Sequence, residues 1–278
     1  MFARPRRARA LVRALLLWFL FLALLVAGAI LLAPAIDREG GRYVYGFLGT
    51  VSALIATAAV LRLDRRSWAE AGLVGDQQTL TRFVAGVAVG LALVGIILLL
   101  VFLSTGIRPM PAHGFTAATI IPLGALLPLA LMEEIAFRGY PFAELRRKHG
   151  LWIAQVATAF GFALYHVLNG WPVLVAFVGP GVWAFAFGIA AARTGGIAAP
   201  TGLHFGINVA QALVGLGTAT AATAAFQLAD PQGLPGATVT ERTTGAGLAA
   251  QALLFAIALF LTWRSATCPR VIEGQPPS

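Results

Sequence analysis

The chain has 278 residues, of which 59% are hydrophobic and 11% charged, and a mean hydropathy of +0.82. Soluble domains carry roughly 25% charged residues, so the composition excludes a water-soluble globular protein and points to a polytopic helical membrane protein. The apolar segments are continuous and do not alternate, which excludes an outer-membrane barrel. The net charge of +9 does not indicate nucleic acid, because the basic residues stand between apolar runs, as cytoplasmic anchors do. The single cysteine, Cys268, excludes an internal disulfide and a cysteine-rich metal site.

Taken in order, an arm containing Arg4, Arg6, Arg7, Arg9 and Arg13 precedes the uncharged run 14–36. Ala33-Pro34-Ala35 loosely resembles a signal cleavage site, but the apolar run exceeds the roughly 7–15 residues of a signal core, so it reads as a retained first helix. Span two covers 43–61 and span three 83–107, and Pro109-Met110-Pro111 ends the latter. Span four is read as one helix from Thr116 to Arg138, followed by a basic amphipathic segment 140–148 and a turn at His149-Gly150. A charge-free stretch of 44 residues, 149–192, is too long for one helix, and Asn169-Gly170-Trp171-Pro172 divides it into spans five and six. Span seven covers about 197–217, a loop rich in Ala, Thr, Gly and Pro covers 218–244, and span eight covers 246–263. The expected fold is all-α, a bundle of about eight transmembrane helices, organised as scaffold spans 1–116, a core 117–217, and a last loop, span and tail 218–278. An even number of spans puts both termini on one side. That side collects 16 of the 20 basic residues, leaving Arg38, Arg42, Arg108 and Arg242 on the other, so the termini are expected in the cytoplasm.

The sharpest feature is Glu133-Glu134 at the end of the 24 uncharged residues 109–132. Ionisable side chains inside a membrane helix are costly, about 2.5–3.5 kcal/mol on insertion scales, and are functional candidates by default. Glu134 and Arg138 stand four residues apart and share a helix face. Glu133 is turned about 100° away and needs a partner from another span. His166 lies as far beyond the His149-Gly150 turn as Glu133 lies before it, which brings the two to similar depth in a hairpin. His204 and Asn208 share one face of span seven. Each such residue alone is more often interhelical hydrogen-bonding glue, or an ion pathway, than a catalyst. Their convergence from three spans supplies the group types that activate water and stabilise an oxyanion. Counted from their helix starts, His166 lies about 22 Å in and His204 only about 10 Å, a mismatch the sequence leaves open.

Glu133-Glu134-x-x-x-Arg138, Phe162-x-x-x-His166 and His204-x-x-x-Asn208 resemble the three motifs of the CPBP (CAAX protease and bacteriocin-processing) family, which includes type II CAAX prenyl endopeptidases. The resemblance covers about residues 117–215, with weaker support from Trp68-x-x-x-Gly72-Leu73. It implies an intramembrane endopeptidase acting on a peptide or protein substrate within the lipid bilayer of the cell membrane. Glu133 and His166 would activate water, His204 and Asn208 would form the oxyanion hole, and Glu134, Arg138 and Phe162 would support them. A divalent metal, zinc, held by Glu134 (or Glu133), His166 and His204 is one expectation. A metal-free glutamate-dependent mechanism is the preferred one. The alternatives are a non-catalytic scaffold or bacteriocin-immunity protein and, with less support because no inverted repeat is visible, a proton or ion transporter. Oligomeric state and the side of substrate entry stay open.

Overall fold

A computed structural model describes residues 4–33, 41–216, 224–232 and 238–267. Pro34 and Ala35 of the cleavage-like site, Arg38, Cys268 and Arg270 lie outside the described residues, as do parts of the loop expected over 218–244. The protein is an all-α integral membrane bundle. Among the described residues, seven helical stretches are long and apolar enough to cross a bilayer.

Helices α1 (Arg4–Leu32), α2 (Gly41–Asp64) and α3 (Thr79–Thr105) match the first three expected spans. α1 is built into the bundle, with Leu17 and Phe21 fully buried and the Trp18 indole N–H donating to the Ala136 carbonyl at 3.0 Å. The fourth span is not one helix. It consists of α4 (Ala117–Gly124) and α5 (Leu126–Arg138), and α6 (Tyr140–His149) follows. Proline explains both interruptions, since Pro128 cannot donate to the Gly124 carbonyl nor Pro141 to that of Phe137. α7 (Leu151–Leu168) turns back at Gly150 as expected. The sixth span is also broken, into α8 (Val173–Val178) and α9 (Pro180–Thr194), at Gly179-Pro180.

The seventh span, α10 (Ala198–Leu213), has 16 residues, about 24 Å of helix against a hydrocarbon core of roughly 30 Å. It can be short because protein covers most of it. Gly86 and Gly90 of α3 face Gly202 and Gly206 of α10, and a Cβ on any of the four would run into a backbone carbonyl of the opposite helix. Paired small-x-x-x-small faces allow this close approach of backbones in a membrane. A smaller crossing of the same kind joins α2 to α5, where Gly46 meets the backbone of Pro128 and Leu129, and Gly49 meets the side chain of Met132.

The loop read over 218–244 contains structure the sequence did not announce. β1 (Arg108–Pro111), within the expected break after span three, pairs antiparallel with β2 (Phe226–Ala229), Arg108 opposite Ala229. α11 then begins at Val239, a full two turns before the expected Ala246, and ends at Thr267. Arg242 reaches back to Asp230 and to the Thr105 carbonyl, tying α11 to the end of α3.

The depth mismatch between the two histidines also resolves. Leu151 is 15 residues before His166 and Ala198 only six before His204, yet Phe162 packs against both imidazoles. For near-parallel helices, the α9–α10 turn must therefore lie roughly a dozen ångströms deeper than the α6–α7 turn. The loop after α2 fills that recess: Ile197 N–H donates to the Gly72 carbonyl at 3.2 Å, and Gly196 packs on Gly72 with no room for a side chain.

Candidate active site

The motif residues converge on one cavity of about 400 Å³, lined among others by Glu133, Phe162, His166, His204 and Asn208. Helix period delivers each group. In α5 it sends Glu133 to the cavity wall, 9% exposed, and Glu134 into the protein, 0% exposed. In α10 the glycine face meets α3, so His204 and Asn208, about 200° round the helix from the glycines, face the cavity.

Glu134 and Arg138 form the ion pair expected from their spacing, Arg138 Nη1 donating to Glu134 Oε1 at 3.3 Å with both side chains fully buried. Arg138 also donates from Nη2 to the Ala184 carbonyl of α9 at 3.2 Å. Its guanidinium lies 4.5 Å from the ring centre of Phe162 and 5.1 Å from that of Phe187, a cation–π arrangement that offsets part of its desolvation. The pair therefore ties α5 to α7 and α9.

His204 bridges the two glutamates. Its Nδ1 donates to Glu134 Oε1 at 3.0 Å, since a carboxylate only accepts, and its Nε2 lies 3.6 Å from Glu133 Oε2. The imidazole beside Glu133 is that of His204, and His166 lines the same cavity. Glu134 is more than a clamp for Arg138, because it also fixes the plane of His204.

His166 is held differently. Its Nδ1 is 2.9 Å from the Phe162 carbonyl oxygen. A carbonyl only accepts, so Nδ1 carries the proton, and in the neutral tautomer Nε2 is the acceptor. Phe162, Tyr165 and Trp171 make T-shaped contacts with the ring, centroids 4.6, 5.4 and 5.2 Å away, restricting its rotation.

The sequence reading missed several lining residues. Phe187 stacks on His204 at 4.6 Å and 15° and is 2% exposed. Trp171, in the break between spans five and six, packs against His166. Tyr45 donates to Asn169 Oδ1 at 2.8 Å, and its hydroxyl lies 3.3 Å from that of Tyr165. The signal for the α3–α10 crossing was present as Gly86-x-x-x-Gly90 and Gly202-x-x-x-Gly206. For Phe187 and Tyr45 no local pattern marked them, since each is an aromatic residue in an apolar run.

Among the described residues, no three His, Cys, Asp or Glu side chains gather as a metal-binding group. Glu134 Oε1 is already engaged by Arg138 and His204, and Glu134 Oε2 is enclosed in the protein.

The fold and cavity thus define a helical membrane protein with acid, base and amide groups gathered in a buried pocket. Residues 115–210 match the family described as type II CAAX prenyl endopeptidase Rce1-like, a stretch that contains all three motifs, and the resemblance read from them holds. No curated protein matches the chain.

Proposed function

We propose that the protein is an endopeptidase that hydrolyses a peptide bond of a membrane-associated substrate with water activated by Glu133 and His166. The observation that carries the reading is the arrival of Glu133, His166, His204 and Asn208 from three separate helices in a single cavity. A water held between Glu133 and His166 Nε2 would lose its proton to Glu133 as it attacks the substrate carbonyl. General acid–base assistance of this kind contributes about 10²–10⁴-fold. The developing oxyanion would be met by the Asn208 amide N–H and by His204 Nε2. The latter role requires a proton on Nε2 in addition to the one Nδ1 gives to Glu134. Removing one such donor from an oxyanion hole costs about 2.7–4 kcal/mol. The proton held by Glu133 then passes to the leaving amine.

The reading continues with a metal-free mechanism, a cell-membrane location and both termini in the cytoplasm, supported by the ligand geometry above and by the distribution of basic residues. The substrate is a peptide, with a prenylated one suggested by the matched family's description. The decisive experiment is cleavage of a peptide library by detergent-purified protein, with Glu133→Gln as control. Cleavage by the wild type that disappears in the variant is expected, and equal cleavage by both would overturn the assignment.

A further inference from the structure

We propose that a groove between α3, α9, α10 and α11 holds one acyl chain of an anionic phospholipid, with Arg193 and Arg264 on its phosphate. The inference goes beyond the peptidase reading and does not depend on it.

The groove encloses about 290 Å³, and helix period builds it. Along α9, Val182, Ala186, Ala190 and Arg193 recur at four- and three-residue spacing, share one face and line the groove. Along α11, Leu254, Ala258 and Leu261 do the same. The three alanines supply the depth, because each puts a methyl group where the neighbouring turns carry Val, Ile or Leu. Trp183 and Gln251 stand at one end and also line the candidate active-site cavity. Gln251 Nε2 donates to the Val178 carbonyl at 2.6 Å and to that of Gly179 at 3.3 Å, which closes this end at the break between α8 and α9.

The opposite end is cationic. Gln251 meets the beginning of α9, and four residues on Phe255 packs on Phe185 with ring centres 5.2 Å apart, so α11 runs parallel to α9. Arg193 stands eight residues beyond Phe185, and Arg264 nine beyond Phe255, about 12 and 13.5 Å further along their helices. The two arginines therefore reach one level, near the ends of α9 and α11. Arg264, three residues past Leu261, continues the α11 face. Both arginines are exposed, and among the described residues neither has an ion pair or a side-chain hydrogen bond. Arg82 near the start of α3, by contrast, is answered by Asp76 at 2.8 Å.

An apolar groove alone selects nothing inside a membrane, since lipid tails are as apolar as leucine. Charge does the selecting. Guanidinium groups at the end of such a groove meet a phosphate through charge-assisted hydrogen bonds, and basic pockets between transmembrane helices hold anionic headgroups in this way. A lipid seated there packs behind Trp183 and braces α9, the helix that sets Phe187 against His204.

The test titrates purified full-length protein in detergent with phosphatidylglycerol, or with phosphatidylcholine of the same chains, and counts bound lipid by native mass spectrometry. One phosphatidylglycerol should be held about twentyfold more tightly than phosphatidylcholine, each cation near the membrane surface contributing about fivefold, about 1 kcal/mol. Arg193→Gln combined with Arg264→Gln should erase that preference. Equal retention of the two lipids by the wild type, or a preference that survives in the double variant, overturns the inference. Phosphatidylglycerol carrying a diazirine on one chain should crosslink to residues 182–193 or 251–261, and crosslinks confined to other spans overturn it. Ala190→Leu fills the groove with both arginines in place and should abolish that crosslink, with Ala258→Leu used if the first variant does not accumulate. A crosslink that survives filling overturns the inference. So does a farnesylated peptide that displaces the phospholipid, since the groove then belongs to a substrate tail.

Discussion

The two adjacent glutamates are expected to fail in different ways, and the structure sets the size of the difference. Glu134→Gln removes a negative charge from a position where both it and Arg138 are fully buried and 3.3 Å apart, leaving the guanidinium among Phe162, Phe187 and the Ala184 carbonyl. Breaking one side of a buried pair costs about 3–5 kcal/mol, on the order of 10 °C in melting temperature for a chain of this size. Part of that cost is the stranded cation, so Glu134→Gln combined with Arg138→Gln should cost less than the sum of the two single changes. Glu133→Gln is different, because Glu133 sits on the cavity wall and its nearest ring nitrogen, His204 Nε2, is 3.6 Å away. The amide preserves shape but cannot take a proton from water, so turnover should fall by about 10²–10⁴-fold with the melting temperature near that of the wild type. The assay is kcat on a cleaved peptide alongside thermal unfolding in detergent for the wild type and the four variants. A Glu133→Gln protein that still cleaves, or a fully stable Glu134→Gln protein without activity, would refute the division of roles.

Three further outcomes are expected. Phe187→Leu should lower kcat by up to about 10²-fold with little change in KM, because losing the flat stack on His204 lets the ring drift from its working position; steady-state kinetics with unchanged kcat would rule this out. Gly202→Ala should destabilise the α3–α10 crossing by about 1–3 kcal/mol through overpacking despite alanine's better helix propensity, while Gly95→Ala, which meets nothing, should be neutral or stabilising; melting temperatures check both. Purified protein should carry clearly less than one equivalent of zinc by elemental analysis and remain active after brief chelation, whereas stoichiometric zinc lost in His166→Ala would establish a metal site.

The sequence alone determined the features that depend on one helix at a time. Continuous apolar runs located the spans, because a bilayer admits little else. The four-residue spacing of Glu134 and Arg138 determined their pairing, and that of His204 and Asn208 their common face, because helix period is local. Proline and glycine marked the breaks, though Pro128 was passed over and span four was read as continuous. The tertiary structure decided what depends on how helices are set against one another. The offset and rotation between two helices are fixed by backbone approach at the Gly86–Gly90 and Gly202–Gly206 faces and by the recessed turn against Gly72. Counting from hairpin turns therefore could not tell that His204 stands beside Glu133. The same placement made Phe187 a wall of the site and paired β1 with β2 across more than a hundred residues of chain. None of these could be read along a single helix, since each is a relation between surfaces that meet only when the bundle has packed.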